Sequence, residues 1–311
     1  MTYHLPRIEH WIQNQSLAMY PTTIERQNAS SPFAEMILLH LRILSGTDIF
    51  YNSLQWFSYA SCIVLSSFIA KMLGAEIKGQ IFTALFCVSI SMAILQASTT
   101  QTDLAVSLWL ISALSFLLLW YEKNSLFSSL LFGYSIGLAC LTKGTAFAYG
   151  LPMVLFFGFY SLFHAKERFL YACCAGLCAF LILVPFSIRN YLYVQDIFGG
   201  PAMRITSLQS HSPNYILANL FCMIFVNFDC GNSFIHTKIS EIAAWVFSIL
   251  DIDYKILFPH FGKFTQRYTY HIHEDIVLIY FHFILILISL CFIKKYTKIQ
   301  RNYLYLVISM F

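Results

Sequence analysis

The sequence predicts an all-α polytopic membrane protein, with about seven transmembrane helices, a C-terminal stub and interfacial helices in its outer loops. Three observations predict it. Hydrophobic residues make up 58% of the 311-residue chain and charged residues only 11%, against roughly a quarter charged in a soluble domain. So little charge cannot cover a water-facing surface, whereas a bilayer accepts an apolar exterior. The mean hydropathy of +0.66 agrees. Second, apolar segments at 50–70, 80–95, 104–120, 126–141, 146–163, 169–188 and 276–293 are each long enough, or nearly so, to cross hydrocarbon. Tight connections separate most of them, at 71–79, 96–103, 121–125, 142–145 and 164–168. Third, the basic residues alternate sides. Lys71, Lys78, Lys123, Lys166, Arg168, Lys294, Lys295, Lys298 and Arg301 fall in 71–79, 121–125, 164–168 and 294–301. The positive-inside bias makes those connections cytoplasmic, and 96–103, which has no Lys or Arg, outer.

The chain reads as a single domain over 1–311, divided into a first outer loop (1–49), a six-helix core (50–188), a large outer loop (189–275), and a last helix with its stub (276–311). In the first loop, Leu5, Ile8, Trp11 and Ile12 recur at helical spacing, with Arg7, Glu9, His10, Gln13 and Asn14 on other faces. That suits a helix lying in the interface, with Trp11 at headgroup level. Ser31-Pro32 then starts a second short helix reaching about Leu44, dotted by Glu35, His40 and Arg42. A solvated face accounts for Arg7, Arg26 and Glu35 taken singly. Residues 215–228 are too short to span and are interrupted by Asn219 and Asn227. If they crossed, Lys294 to Arg301 would be moved to the wrong side, so they are expected to form an interfacial or re-entrant helix. The opening residues, from Met1 to Arg7, have no basic stretch followed by an apolar run, so they are not a signal peptide. An outer loop at 1–49 with no span before it, and an apolar run starting at Asn302, lead to the expectation that both ends are cut and that Met1 is an internal methionine of a longer reading frame.

Composition removes some functions. A net charge of +4, spread along the chain, gives no nucleic-acid surface. Of the nine cysteines, Cys62, Cys87, Cys140, Cys173, Cys174, Cys178 and Cys291 sit in apolar segments as small hydrophobes, and only Cys222 and Cys230 lie elsewhere. No CxxC metal pattern occurs.

The polar concentrations collect on the outer side. The tightest is Gln96-Ala97-Ser98-Thr99-Thr100-Gln101-Thr102-Asp103. Asp103 is either the N-cap of the following helix or a group that takes a proton, a metal or a hydroxyl. Lys143, in Leu141-Thr142-Lys143-Gly144-Thr145, either snorkels to the interface or awaits an anion, with Gly144 allowing close approach. Arg189-Asn190 is an outer-end interface anchor or a phosphate partner. His271, His273, Glu274 and Asp275 are spaced loosely enough to bind a divalent metal ion, or to be a solvated loop with Asp275 capping the last span. No defined metal motif is matched there, so no metal ligand is assigned.

Several of these stretches resemble one family. Thr2-Tyr3-His4-Leu5-Pro6-Arg7, then His10-Trp11, Tyr20-Pro21-Thr22, Arg26-Gln27 and Pro32, are similar to the first outer loop of bacterial C-type glycosyltransferases. These polytopic membrane enzymes are related to protein O-mannosyltransferases and lipid A aminoarabinose transferases. Gln96 to Asp103 resembles their second outer loop, and Leu141 to Thr145, Arg189-Asn190-Tyr191 and His273-Glu274-Asp275 resemble later positions. The resemblance implies a polyprenyl-phosphate sugar donor in the outer leaflet of a bacterial inner membrane. The acceptor would be a glycan, lipid or protein hydroxyl. Attack would invert the anomeric carbon through an oxocarbenium-like state, with a carboxylate base and cations on the departing phosphate. It further implies Lys143 and Arg189 as phosphate partners, Asp103 as the second acidic residue, and His4, Arg7 and Gln101 as lining. Asn190, His273, Glu274 and Asp275 would be binding positions. One departure is large. The family's principal catalytic Asp precedes the Tyr-His-Leu-Pro-Arg stretch by a residue or two. Here only Met1 and Thr2 stand before Tyr3, and the first carboxylate is Glu9. The main base is therefore expected to belong before Met1, and the chain to be an incomplete copy with little transferase activity by itself.

Two other functions fit parts of the pattern. A lipid-linked oligosaccharide polymerase or ligase would use the 189–275 loop and its arginines. A transporter would need polar residues at mid-membrane depth, and it would more naturally show internal repeats; most spans have no such residues and no repeat is visible.

Overall fold

A computed structural model describes residues 4–164, 166–199, 212–228, 232–252 and 279–310. All the regular elements among them are helical. The chain forms two compact units, one of residues 1–89, 96–203 and 296–311, the other of 90–95 and 204–295.

The first unit begins with α1 (His4–Asn14), the short α2 (Arg26–Ala29) and α3 (Phe33–Ser45). The longer helices α4 (Ser53–Met72), α7 (Asp103–Lys123), α8 (Leu126–Thr142), α9 (Thr145–His164) and α10 (Lys166–Val194) follow, with α5 (Ile77–Val88) between α4 and α7; α6 (Ser91–Ala97), next in the chain after α5, has its first five residues in the second unit. Four of these, α4, α7, α9 and α10, are long and apolar enough to cross a membrane. α5 and α6 together make a fifth if the pair is one broken span, bent by 64°. The expected segment 80–95 is thus two helices with a break at Ser89–Ile90. The expected segment 126–141 is the 17-residue α8, short for a crossing, and 276–293 contributes only the 11-residue helix Tyr280–Leu290 among the described residues.

α8 is the interior helix of this unit. Along it, Phe132, Gly133, Ile136, Leu138, Ala139 and Cys140 are buried, whereas α10 exposes Leu170, Leu177, Phe180 and Leu181. An apolar helix exposed on this scale suits hydrocarbon contact. Two glycines one turn apart, Gly133 and Gly137, let α8 press directly on α10. A Cβ on Gly133 would run into the Ala175 carbonyl, only 2.7 Å from its carbon, and one on Gly137 would lie 3.1 Å from the Ala179 Cα. Small residues four apart are the usual means of close helix approach where no hydrophobic effect drives association.

Near the C-terminal end of α7, Trp120 is fully buried and meets Phe157 of α9 edge-on at 4.4 Å between ring centroids. The Arg168 guanidinium lies 5.2 Å from the Trp120 ring centroid and 5.1 Å from that of Tyr160. A terminal helix, Lys298–Ile308, packs Tyr303 and Leu306 onto this core. It starts with a full capping box at Thr297, and Gln300 Nε2 donates to the Leu73 carbonyl at 2.8 Å. The cysteines of the apolar segments are free thiols.

In the second unit, α11 (Pro213–Phe225) and α12 (Ser233–Ile249) pack around Ala218, Ile239, Ala243 and Phe247. A helix over 215–228 therefore forms as expected, ending in a 3-10 turn at Val226–Phe228. Asn232 caps α12, accepting from Phe234 N at 2.9 Å. The helix α13 (Tyr280–Leu290) belongs here too, with Phe283 edge-on to Phe228 at 4.9 Å.

Candidate functional site

The residues before α4 are organised by an ion pair that the amphipathic pattern does not announce. Arg7 and Glu35 are both fully buried. Arg7 Nη1 donates to Glu35 Oε1 at 3.2 Å and to the Ser31 carbonyl at 3.5 Å; Nη2 donates to the Ser30 carbonyl at 2.9 Å, and Nε to that of Gln27. One planar guanidinium thus holds the turn between α2 and α3, using the fork geometry that suits it to several acceptors at once. The solvated face expected for Arg7 and Glu35 is corrected by this burial. The reason lies in the helices' own phase. Arg7 stands one turn before Trp11 and beside Ile8, and Glu35 one turn before Leu38 and Leu39, so both charges point into the apolar cluster of Ile8, Trp11, Tyr20, Leu38, Leu39 and Tyr51. Trp11 is consequently a packing residue, 4% exposed, and not a headgroup anchor. His4, on the same helix as Arg7, places Nδ1 2.8 Å from Glu35 Oε1. The second carboxylate oxygen, Oε2, is buried with no hydrogen-bond partner among the described residues.

Around this pair the 20–31 segment is fixed at both ends. The Tyr20 hydroxyl donates to Gln27 Oε1 at 3.1 Å, Thr22 Oγ1 shares the same oxygen at 3.0 Å, and Asn28 Nδ2 donates to the Tyr20 carbonyl at 2.7 Å. Burial pushes the Tyr20 phenol above its ordinary value, with the Arg7 charge opposing. Ser31 Oγ donates to the Cys140 carbonyl at 2.9 Å, tying the loop to the end of α8. α10 reaches the same segment. Arg189 Nη2 donates to the Asn28 carbonyl at 3.0 Å, and Asn190 Nδ2 to that of Ala29 at 3.3 Å. The helix runs past Pro185 to do so; at 29 residues it is about 43 Å long, more than the hydrocarbon thickness. Arg189 Nε and Asn190 Oδ1 are buried without partners among the described residues.

Beside this network, Asp103 and Lys143 form an ion pair between Oδ1 and Nζ, with side chains 35% and 29% exposed. Lys143 terminates α8 three residues after Cys140, in extended backbone, and Gly144 next to it faces open space. Asp103 is the first residue of α7 and not its N-cap: Thr102 occupies that position and its side chain makes no capping bond. The cap comes from another helix. Gln55 of α4, 1% exposed, accepts from Ala105 N at 3.0 Å. This frees Asp103 from capping and leaves its carboxylate at a helix N-terminus, where negative charge is favoured. Gln55→Leu is expected to lower stability by about 1 kcal/mol, because an orphaned Ala105 N–H is partly offset by removal of the unpartnered Gln55 amide. Thermal unfolding of the purified protein checks this. Gln101, in the preceding turn, donates its backbone N to Thr99 Oγ1 at 3.3 Å.

The structure thus brings His4, Arg7, Arg189 and Asn190 into one bonded network and pairs Asp103 with Lys143 next to it. Met1, before which the main base is expected, lies outside the described residues, as do His271, His273, Glu274 and Asp275. The first described residue is His4, so the geometry bears on the second acidic position, Asp103, and not on the expected absence of a base before Met1. The carboxylate that does stand beside His4 and Arg7 is Glu35, brought there from 28 positions beyond Arg7. Among the described residues no group of three or more His, Cys, Asp or Glu could hold a metal ion. Two participants are hard to read from sequence as site residues: Glu35, which a solvated face would explain equally well, and Gln55, whose role depends wholly on tertiary contact. A carboxylate in line with Leu38 and Leu39 is the clue that points to the first. Comparison with protein-family models, with curated proteins and with solved structures gave no match.

Proposed function

We propose that this protein is a membrane glycosyltransferase-like protein that binds a polyprenyl-phosphate sugar at its outer face and directs the sugar to an acceptor hydroxyl on a glycan, lipid or protein. The observation that carries the reading is the part-exposed Asp103–Lys143 pair with the open space at Gly144 next to it. A part-exposed ion pair is worth about 0–1 kcal/mol. A phosphate presents more charge and more acceptors than one carboxylate, so it displaces Asp103 from Lys143 at small cost. Displacement does two things at once. It puts an ammonium on the leaving phosphate, and it releases a carboxylate able to position or deprotonate the acceptor. Arg189, which donates to the Asn28 carbonyl of the 20–31 segment, is the second cation this reading assigns to the phosphate. Arg7, with its donors committed to the loop and to Glu35, acts by holding that loop in place.

The same reading assigns seven crossings, counting α4, the α5–α6 pair, α7, α8, α9, α10 and 276–293, in a bacterial inner membrane. The test is capture of a photoactivatable polyprenyl phosphate by the protein in membranes. Labelling in peptides that contain Lys143 or Arg189, reduced about tenfold in Lys143→Met, supports the reading. Equal labelling of the wild type and the variant would overturn it. Where sugar transfer from a labelled donor is measured, Asp103→Asn is expected to abolish it while retaining the labelling.

A further inference from the structure

A second feature of the same outer end is an open cavity of about 310 Å³, lined in part by Met19, Tyr20, Thr22, Glu25, Asn28 and Tyr193. Its size lies at the lower end of the range of small-molecule sites. Its walls come from the 20–28 loop and from the end of α10. The loop side is preformed. Gln27 receives both the Tyr20 hydroxyl and Thr22 Oγ1, and Asn28 closes onto the Tyr20 backbone through Nδ2 to the carbonyl at 2.7 Å and Oδ1 from the amide at 3.4 Å. The opposite wall is Tyr193, 59% exposed, one helical turn beyond Arg189.

Glu25 distinguishes this cavity from a gap between packed elements. It precedes α2, yet its side chain makes no capping hydrogen bond, and no ion pair or hydrogen bond to its carboxylate occurs among the described residues. An exposed carboxylate lining the same cavity as the exposed Tyr193 ring offers two strong acceptor oxygens beside a flat apolar face with a polar edge. That combination matches a sugar ring, which presents C–H faces to aromatic rings and hydroxyl donors to a carboxylate. A lipid tail would find the wall too polar. A phosphate would meet Glu25 as a like charge.

We propose that this cavity binds a saccharide, the acceptor sugar of the reaction. Its position follows from the loop: the carbonyl of Asn28, which lines the cavity, accepts from Arg189 Nη2 at 3.0 Å. A sugar in the cavity therefore lies next to the side of the site where the donor phosphate is placed. The proposal rests on the glycosyltransferase reading for the word acceptor, but saccharide binding by itself does not.

The experiment uses the full chain in nanodiscs and saturation-transfer NMR with methyl α-glucoside, methyl α-mannoside, N-acetylglucosamine and their β-linked disaccharides as probes. At least one probe is expected to receive saturation in the wild type. Glu25→Gln and Tyr193→Ala are each expected to weaken that signal about tenfold, with unchanged thermal unfolding, since both side chains are exposed. Lys143→Met is expected to leave the signal intact. No transfer to any probe, or transfer unaffected by both cavity variants, overturns the saccharide site. Saccharide binding without polyprenyl-phosphate capture keeps this site and removes the donor reading; capture without saccharide binding does the reverse.

Discussion

Glu35→Ala is expected to destabilise the first unit by about 3–5 kcal/mol, the penalty typical of leaving one member of a buried ion pair uncompensated. The Arg7 guanidinium would remain inside without a carboxylate beside it, left with backbone carbonyls and the Trp11 ring 5.4 Å away among its neighbours. Arg7→Lys is expected to fail nearly as badly. A lysine ammonium cannot reproduce the planar fork that reaches the carbonyls of Gln27, Ser30 and Ser31 together with Glu35. The double variant Arg7→Met/Glu35→Met should recover part of the loss, because no buried charge remains. It should not recover all of it, since the carbonyls of the 27–31 turn lose their donors. Thermal unfolding of the three variants in one detergent gives the ordering. If the double variant is no more stable than either single one, the pair is not what holds this loop.

Gly133→Ala is expected to cost about 3 kcal/mol, and Gly133→Leu to prevent recovery of monodisperse protein. The obstruction is the backbone of Ala175: the new Cβ would overlap its carbonyl oxygen and lie 2.7 Å from its carbonyl carbon. No rotamer change relieves a clash with a carbonyl, so α8 and α10 must separate. Gly137→Ala should cost less, because its closest neighbours include the flexible Ile182 Cδ1 at 3.0 Å. Gly158→Ala and Gly176→Ala meet nothing within 4 Å and serve as controls, neutral or slightly stabilising through helix propensity. Size-exclusion profiles and thermal unfolding in detergent separate these cases. If Gly133→Ala behaves like Gly158→Ala, the close approach of α8 to α10 is wrong.

The long helices are legible in the sequence because their signal is local. A run such as 104–120, apolar and free of Gly and Pro, can satisfy its backbone in hydrocarbon only as a helix. The polar loop before it is legible for the same reason, as a break between two such runs. The role of α8 is not. Its composition matches a lipid-facing span, and it is the burial along its length and the Gly133–Ala175 and Gly137–Ala179 contacts that show it to be central. The cap on α7 shows a second limit. Asp103 has the residue type and the place of an N-cap, but the bond is supplied by Gln55 from a different helix, which no local pattern encodes. The pairing of Asp103 with Lys143 across 40 positions is likewise a product of packing, although both residues stand out as isolated charges at ends assigned to one face. Arg7 and Glu35 show that charge is a poor marker of exposure when helical phase sets it beside Ile8, Trp11 and Leu38.

The central claim is that Asp103 holds a place that a donor phosphate takes. Binding of undecaprenyl phosphate to the protein in nanodiscs, measured for wild type, Lys143→Met, Arg189→Met and Asp103→Asn, tests it most directly. The wild type is expected to bind. Lys143→Met and Arg189→Met should each weaken binding about tenfold, and Asp103→Asn should tighten it by up to about fivefold, the equivalent of the roughly 1 kcal/mol ceiling on a part-exposed pair. Tighter binding on removal of a carboxylate is the distinctive result. Binding indifferent to Lys143 and Arg189, or weakened by Asp103→Asn as much as by Lys143→Met, would contradict the account.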